Sequence, residues 1–231
     1  MRFEIIEHSV TADGRTLELA RRGDTLVLRI DGQVLMTSAC YGSERAMASV
    51  AAEALPPGAA PRVLVGGLGM GHTLRCALDV FPPQAEITVA ELLPEVVRFN
   101  RGILGPLADH PLEDPRVRLF EGDLHDALDL GPWDVVLLDV DNGPEALCAP
   151  KNERLYSHAG TRRLARALAV GGQLVLWSAG PSPAYEKTLR KAGLEVTVRR
   201  VRERWPLRKG ATHVLFIAQR PRSPGRTRGR G

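Results

Sequence analysis

Hydrophobic positions in the first 38 residues recur with a period of two, and the runs are cut short by turn dipeptides. RFEIIEHSV is followed by Ala-Asp-Gly at 12–14, then RTLELA, then Arg-Gly-Asp at 22–24, then TLVLRI, Asp31-Gly32 and QVLMTS. Alternation in Leu26, Leu28 and Ile30 next to an Asp-Gly pair predicts a small antiparallel meander. The period then lengthens. From Ser43 to Leu55 the apolar positions Met47, Val50, Ala51 and Ala54 fall on one helical face, with Ser43 as the expected N-cap and Pro56-Pro57-Gly58 as the stop. Beyond it short apolar runs alternate with helical stretches. PRVLVGG, EITVAE, RVRLFEGD, WDVVLLDVD and GQLVLWS read as buried strands, and GHTLRCALDVF, LLPEVVRFNRGIL and TRRLARALAV as helices. Strand–helix alternation of this kind requires crossover connections and so a mostly parallel sheet covered on both faces. LEVTVRRVRERW and THVLFIAQ have no helix between them and are expected to close the sheet as an antiparallel hairpin. The predicted fold class is α/β: a Rossmann-like, doubly wound, mostly parallel sheet with an antiparallel last strand, preceded by a β-meander. The expected boundaries are 1–58 for the meander and helix, 59–219 for the cofactor-binding catalytic domain, and 220–231 for a tail.

Charge changes the picture once it is located. The 231 residues carry a formal net charge of +4. The last twelve, RPRSPGRTRGRG, hold five arginines and no acid, so the remainder is at −1. A Gly/Pro/Arg segment with no apolar residue to bury reads as a disordered, solvated end. Nucleic-acid binding is not expected, except weakly through that tail. Cys40, Cys76 and Cys148 are far apart and form neither a disulfide framework nor a zinc-ligand spacing. No apolar run approaches the roughly 20 residues of a membrane helix, and the acidic start MRFEIIEHSV lacks a signal-peptide core. A cytoplasmic location and no membrane partner are expected.

Chemistry concentrates at the ends of the predicted parallel strands. Val63-Leu64-Val65 runs into Gly66, Gly67, Leu68, Gly69, Met70 and Gly71. Glycines are needed where a side chain would hold the backbone off a ligand, and the following helix N-terminus offers free N–H groups. The spacing is GxGxG from Gly67, and His72 stands where a dinucleotide fingerprint requires glycine, which favours an adenosylmethionine-type ligand. Glu91 closes the next strand, where an acid can accept from both ribose hydroxyls. Gly122-Asp123 ends the third, with Asp123 able to accept from an adenine amino group. Asp139-Val140-Asp141-Asn142 ends the fourth. Asp139 and Asp141 are the candidate bases. No metal site is expected as the main reading. A metal held by Asp139, Asp141 and Asn142 for transfer to a diol is a lesser variant.

The order and spacing of 66–71, Glu91, Gly122-Asp123 and Asp139–Pro144, with the meander ending in Asp31-Gly32-Gln33, resemble the spermidine synthase family of polyamine aminopropyltransferases, within the class I methyltransferase fold. The resemblance implies that the glycines contact the methionine-derived part of the cofactor, Glu91 the ribose and Asp123 the adenine. Leu92 and Leu124 complete that set, and Asp139 deprotonates the attacking amine. It also implies a homodimer formed through the amino-terminal meander and helix. The sequence departs from the family at Asp141, Asn142 and Leu93, and in the Tyr41–Arg45 stretch. The basic cluster Arg199, Arg200, Arg202, Arg204, Arg208 and Lys209, placed in a loop on the cofactor side, would disfavour a polycation.

These residues point to a transferase using S-adenosylmethionine or its decarboxylated form, passing a methyl or aminopropyl group to a small-molecule acceptor, an amine or another nucleophile. Tyr156 and His158 are further candidates, and Asn152, Tyr156 and Trp177 could line the acceptor pocket. The alternatives are a catalytically silent nucleoside-binding relative and an RNA-modifying methyltransferase that uses the Arg-rich tail.

Overall fold

All four amino-terminal strands form. In a computed structural model, which describes residues 3–39, 42–140, 144, 153–202 and 210–222, β1 (Glu4–Val10), β2 (Thr16–Arg22), β3 (Thr25–Ile30) and β4 (Gln33–Thr37) make an antiparallel sheet in sequence order. Asp31 and Gly32 both take positive φ, 48° and 78°, the backbone that a two-residue hairpin with native twist requires. Leu26, Leu28 and Ile30 are buried, and so is Val27 between them. The middle of β3 is therefore covered on both faces.

Helix α1 (Gly42–Glu53) buries Met47, Val50 and Ala51 as predicted. Two details differ. Ser43 lies inside the first turn, where its hydroxyl donates to Glu44 Oε2 at 2.8 Å and meets His213 Nδ1 at 3.1 Å, so it is not the cap. Ala54 falls past the helix end and is exposed.

The main sheet contains β5 (Arg62–Gly66), β6 (Glu86–Glu91), β7 (Val117–Glu121), β8 (Trp133–Leu138), β9 (Leu168–Ser178), β10 (Glu195–Arg202) and β11 (Thr212–Gln219), in the order β10-β11-β9-β8-β5-β6-β7. β5 to β9 are parallel, and β11 runs antiparallel to both β9 and β10. Period two sorts the side chains between two helical layers. Val63, Val65, Val135 and Leu137 face α1, α2 (His72–Val80) and α3 (Pro94–Arg101). Leu64, Val136 and Leu138 face α4 (Leu124–Leu128), α6 (His158–Ala167) and α7 (Pro183–Lys191). The short α5 (Glu153–Tyr156) precedes α6. Leu17, Leu19, Leu28 and Ile30 of the meander join the first of these cores. The small sheet therefore packs on the α1–α3 side of the large one.

Three expectations are corrected. The predicted long helix after β6 stops at Arg101, because Gly102, Gly105-Pro106 and Pro111 break it into tight turns over Gly105–Ala108 and Pro111–Glu113. Leu168, Ala169 and Val170 open β9 instead of ending α6, since Leu168 pairs with Trp133 of β8. Arg199, Arg200 and Arg202 belong to strand β10, not to a loop, and Arg199 is ion-paired with Glu53 of α1. Arg204, Arg208 and Lys209 lie outside the described residues. Among the described residues no helix is long and apolar enough to cross a membrane.

Candidate active site

Strand order reverses between β5 and β8, and the loops leaving their carboxyl ends face one another, the usual place for a ligand in an open α/β sheet. The β5 loop is folded by its glycines for two different reasons. Gly67, Gly69 and Gly71 take φ of 90°, 51° and 82°, conformations that L side chains adopt only under strain. Packing also demands them. A Cβ on Gly66 would sit 2.8 Å from Leu124 Cδ2, and one on Gly67 would sit 2.8 Å from the carbonyl oxygen of Asp139. Gly67 and Gly69 line a cavity, whereas Gly66 packs against Leu124 and Leu138, and Gly71 against Asn100, Ala108 and Pro111.

Glu91 ties that loop to β6. It is 9% exposed, and its two carboxyl oxygens accept from the Leu68 and Leu93 N–H groups, each at 2.9 Å. Burial pushes its pKa above the usual range, opposed by these backbone donors. Asn100, 1% exposed, donates to the Gly69 carbonyl at 2.8 Å and fixes the far side of the loop. Nothing in the sequence pattern singled it out, because an Asn in a helix is more often a surface residue.

Asp139, half-buried, follows β8. Its N–H donates to the Gly66 carbonyl at 3.1 Å, and its Oδ2 accepts from the Thr73 hydroxyl of α2 at 2.6 Å. Desolvation raises its pKa, and the Thr73 hydrogen bond acts in the opposite direction. Thr73 also escaped the sequence reading, although it stands two residues after Gly71.

Two cavities meet at this point. One, of about 210 Å³, is walled by Glu91, Leu92, Gly122, Asp123, Leu124 and Asp139, together with Leu28, Ile30 and Arg15 of the meander. The other, of about 250 Å³, is lined by Leu68, Met70, His72, Thr73 and Asp139, with Val34 of β4 and Glu44 of α1. Gly67, Gly69, Leu35, Met36 and Asp139 border both. Met36 lies over the loop, 2.8 Å from where a Cβ of Gly69 would be. The meander thus roofs the site, a role that only the three-dimensional packing reveals. His72 begins α2, as expected, and burial lowers its pKa to about 4, so it is neutral at pH 7.

Some candidates have different surroundings from those expected. Asp123 caps α4, accepting from the His125 N–H at 2.9 Å, and its other oxygen is held by the Arg154 guanidinium. The Tyr156 hydroxyl donates to the Val140 carbonyl at 2.8 Å. Its ring stands edge-on to Tyr185, which does the same to Phe216. Tyr156 therefore anchors the segment leaving β8 and is not presented to an acceptor. His158 is exposed on α6, away from both cavities. Trp177 packs edge-on against His213, with ring centroids 4.8 Å apart, and lines neither cavity. Asp141, Asn142 and Asn152 lie outside the described residues.

No protein-family model and no curated relative matches the sequence. Solved structures do. A spermidine synthase in complex with the transition-state analogue AdoDATO aligns over 94% of this chain and 74% of its own, with a TM-score of 0.74 and 18% identity. The fold is that of the spermidine synthases. The Thermotoga maritima spermidine synthase aligns over 94% of this chain and 73% of its own, with a TM-score of 0.72 and 18% identity. A probable spermidine synthase from Corynebacterium glutamicum gives 0.67, with 18% identity, over 95% and 80% of the two chains. At 94–95% coverage of this chain, the correspondence takes in the meander as well as the large sheet.

The glycine geometry yields an ordered pair of outcomes. Gly67→Ala pushes a methyl into backbone at Asp139, whereas Gly69→Ala meets the flexible end of Met36. Both carry the left-handed strain of about 1–2 kcal/mol. Gly67→Ala is expected to lower Tm further than Gly69→Ala, and thermal melts of the two variants check this.

Proposed function

We propose that this chain transfers the aminopropyl group of decarboxylated S-adenosylmethionine to an amine, with Asp139 as the base. The single observation that carries this reading is the position of Asp139 where two adjoining cavities meet. In such a reaction donor and acceptor must approach in line at one carbon, and a group at the meeting point must take the amine proton.

The first cavity fits an adenosyl group. Gly67 and Gly69 border it, and Glu91 offers its remaining lone pairs to a ribose diol. Leu92 and Leu124 give apolar faces for a base, and Asp123 stands at the far edge. When bound, the sulfonium supplies an electrophilic carbon. The amine nitrogen forms its bond to that carbon as the carbon–sulfur bond breaks, the sulfur keeps the electron pair, and the ammonium proton passes to Asp139. Thr73 holds the receiving carboxyl in place.

The charge inventory supports the decarboxylated donor over adenosylmethionine itself. A free amino-acid carboxylate would call for a cation or backbone N–H donors near the glycine loop. Arg15, the one cationic side chain lining the first cavity among the described residues, is ion-paired with Asp13 at 3.1 Å. The second cavity pairs apolar walls with Glu44, which suits an acceptor carrying a cationic amine. The spermidine synthase complexed with AdoDATO adds weight to the same donor class.

The test is a transfer assay with each donor against short diamines and monoamines, read by mass spectrometry of the acceptor. Aminopropylated amine from the decarboxylated donor is expected. Methylated acceptor from adenosylmethionine, or no transfer to any amine despite methylthioadenosine binding, would replace this reading. Because Asp139 must be deprotonated and its pKa is raised, the acidic limb of kcat/KM is expected above the ordinary aspartate range. A profile flat down through that range would count against Asp139 as the base.

A further inference from the structure

We infer that the face formed by α6 and α7 is a binding surface for single-stranded RNA, separate from the two-cavity site. Ala159, Arg162, Arg163 and Arg166 occur at intervals that place them on one side of α6, and they line a groove of about 720 Å³. Its opposite wall is the end of α4 and the Gly131-Pro132 turn that precedes β8. The groove therefore opens toward the amino ends of the parallel strands, opposite the loops that carry Asp139. Arg162 also lines the adjoining groove against α7, with His158, Thr188 and Lys191. The two grooves form one trough divided by a single arginine.

The charge balance of that trough is one-sided. Asp129 is the single carboxylate lining it among the described residues, and it is occupied by Arg163 at 2.6 Å. Arg190 of α7 is taken by Glu186. Arg162, Arg166, Lys187 and Lys191 are exposed and make no ion pair with a described residue. Three of these uncompensated cations, Arg162, Arg166 and Lys191, line the grooves and suit a partner with regularly repeated anions, since guanidinium groups match phosphate with two parallel hydrogen bonds.

The end of the described chain strengthens this reading. Arg220 donates to the carbonyls of Arg166 at 3.3 Å and Leu168 at 2.7 Å. The strand that leads to the carboxyl terminus is thus pinned to the last turn of α6, at the mouth of the groove. Residues 223–231, SPGRTRGRG, add three more arginines and no acid to the sequence. Single-stranded RNA is favoured over a membrane surface because the trough is concave and its one large aliphatic lining residue, Leu128, is 1% exposed. Membrane-surface helices instead present an apolar face.

The experiment measures binding of the full-length protein to a fluorescent, mixed-sequence RNA of about 20 nucleotides by anisotropy, at potassium chloride from about 50 to about 300 mM. Expected is an affinity that falls steeply and log-linearly with salt. In Arg162→Ala/Arg166→Ala/Lys191→Ala the affinity drops roughly tenfold or more, and the salt slope shrinks by about 2, the value for three lost phosphate contacts on a single strand. Asp129→Asn, which frees Arg163 from an exposed pair, is expected to tighten binding. Transfer activity and Tm of both variants stay at the wild-type level. Deletion of 223–231 weakens binding without abolishing it. The inference is overturned by salt-insensitive binding, by a triple variant with wild-type affinity, by loss of all binding on tail deletion alone, or by capture on phosphatidylserine vesicles with none on RNA.

Discussion

Asp139→Asn is expected to abolish transfer and to leave the protein at least as stable as the wild type at neutral pH. The two halves of this outcome come from the same burial. Asn has nearly the shape of Asp and keeps an oxygen for the Thr73 hydroxyl, which now donates at 2.6 Å, so the local packing survives. What is lost is the ability to take a proton, which is worth roughly 10²–10⁴-fold in rate for a positioned general base. The stability half follows from linkage. Desolvation raises the Asp139 pKa in the folded protein, so the fold binds this proton more tightly than the unfolded chain does. The stabilisation from that proton is complete below the ordinary aspartate pKa and disappears as the pH rises through the raised value. At neutral pH the wild type therefore bears the cost of a desolvated carboxylate that the amide does not carry. Thermal melts of both proteins across that range check the sign. The advantage of Asn should be largest at neutral pH and should shrink in acid as Asp139 becomes protonated. A variant that still turns over at the wild-type rate, or whose Tm deficit is the same at every pH, would remove Asp139 from its assigned role.

The sheet and its candidate site were legible because their signals are local. Val63-Leu64-Val65 running into glycines, and acids closing EITVAE and WDVVLLDVD, mark strand ends without any knowledge of what packs on them. The Asp-Gly pair at 31–32 dictated a hairpin for similar reasons, since its positive φ values are a property of those two residues. What the sequence could not disclose depends on contacts between distant segments. Met36 sits over Gly69, Thr73 reaches Asp139 across 66 positions, and Asn100 holds the Gly69 carbonyl. Each of these residue types is ordinary in its own element. The divided roles of the glycines were hidden for the same reason: Gly66 and Gly71 are required by neighbours in α4 and in the tight turns after α3, not by a ligand. Arg199, Arg200 and Arg202 fall within the predicted strand LEVTVRRVRERW, and edge strand β10 keeps them exposed on its faces instead of in the loop.

The other large effect is expected at Glu91. Replacing it by Ala should cost both loop order and nucleoside affinity, and the two can be told apart. Leu68 and Leu93 would each be left with a backbone N–H whose present acceptor, at 2.9 Å, is gone. An unpaired buried donor costs about 1–3 kcal/mol, so Tm should fall even without ligand, although release of a desolvated charge offsets part of the loss. Affinity for methylthioadenosine should fall further, because the carboxylate that accepts from the ribose hydroxyls is removed. Hydrogen bonds to a charged group contribute about 1.5–3 kcal/mol each, so a decrease of roughly 100-fold or more is expected. A cycle with the 2′-deoxy nucleoside separates direct contact from loop disorder. In the wild type the missing hydroxyl should weaken binding by roughly 10- to 150-fold, the equivalent of one charge-assisted hydrogen bond. In Glu91→Ala it should make no further difference, since the partner is already absent. If the deoxy ligand loses the same factor in both proteins, Glu91 holds the glycine loop but not the sugar, and the adenosyl assignment of the first cavity fails with it.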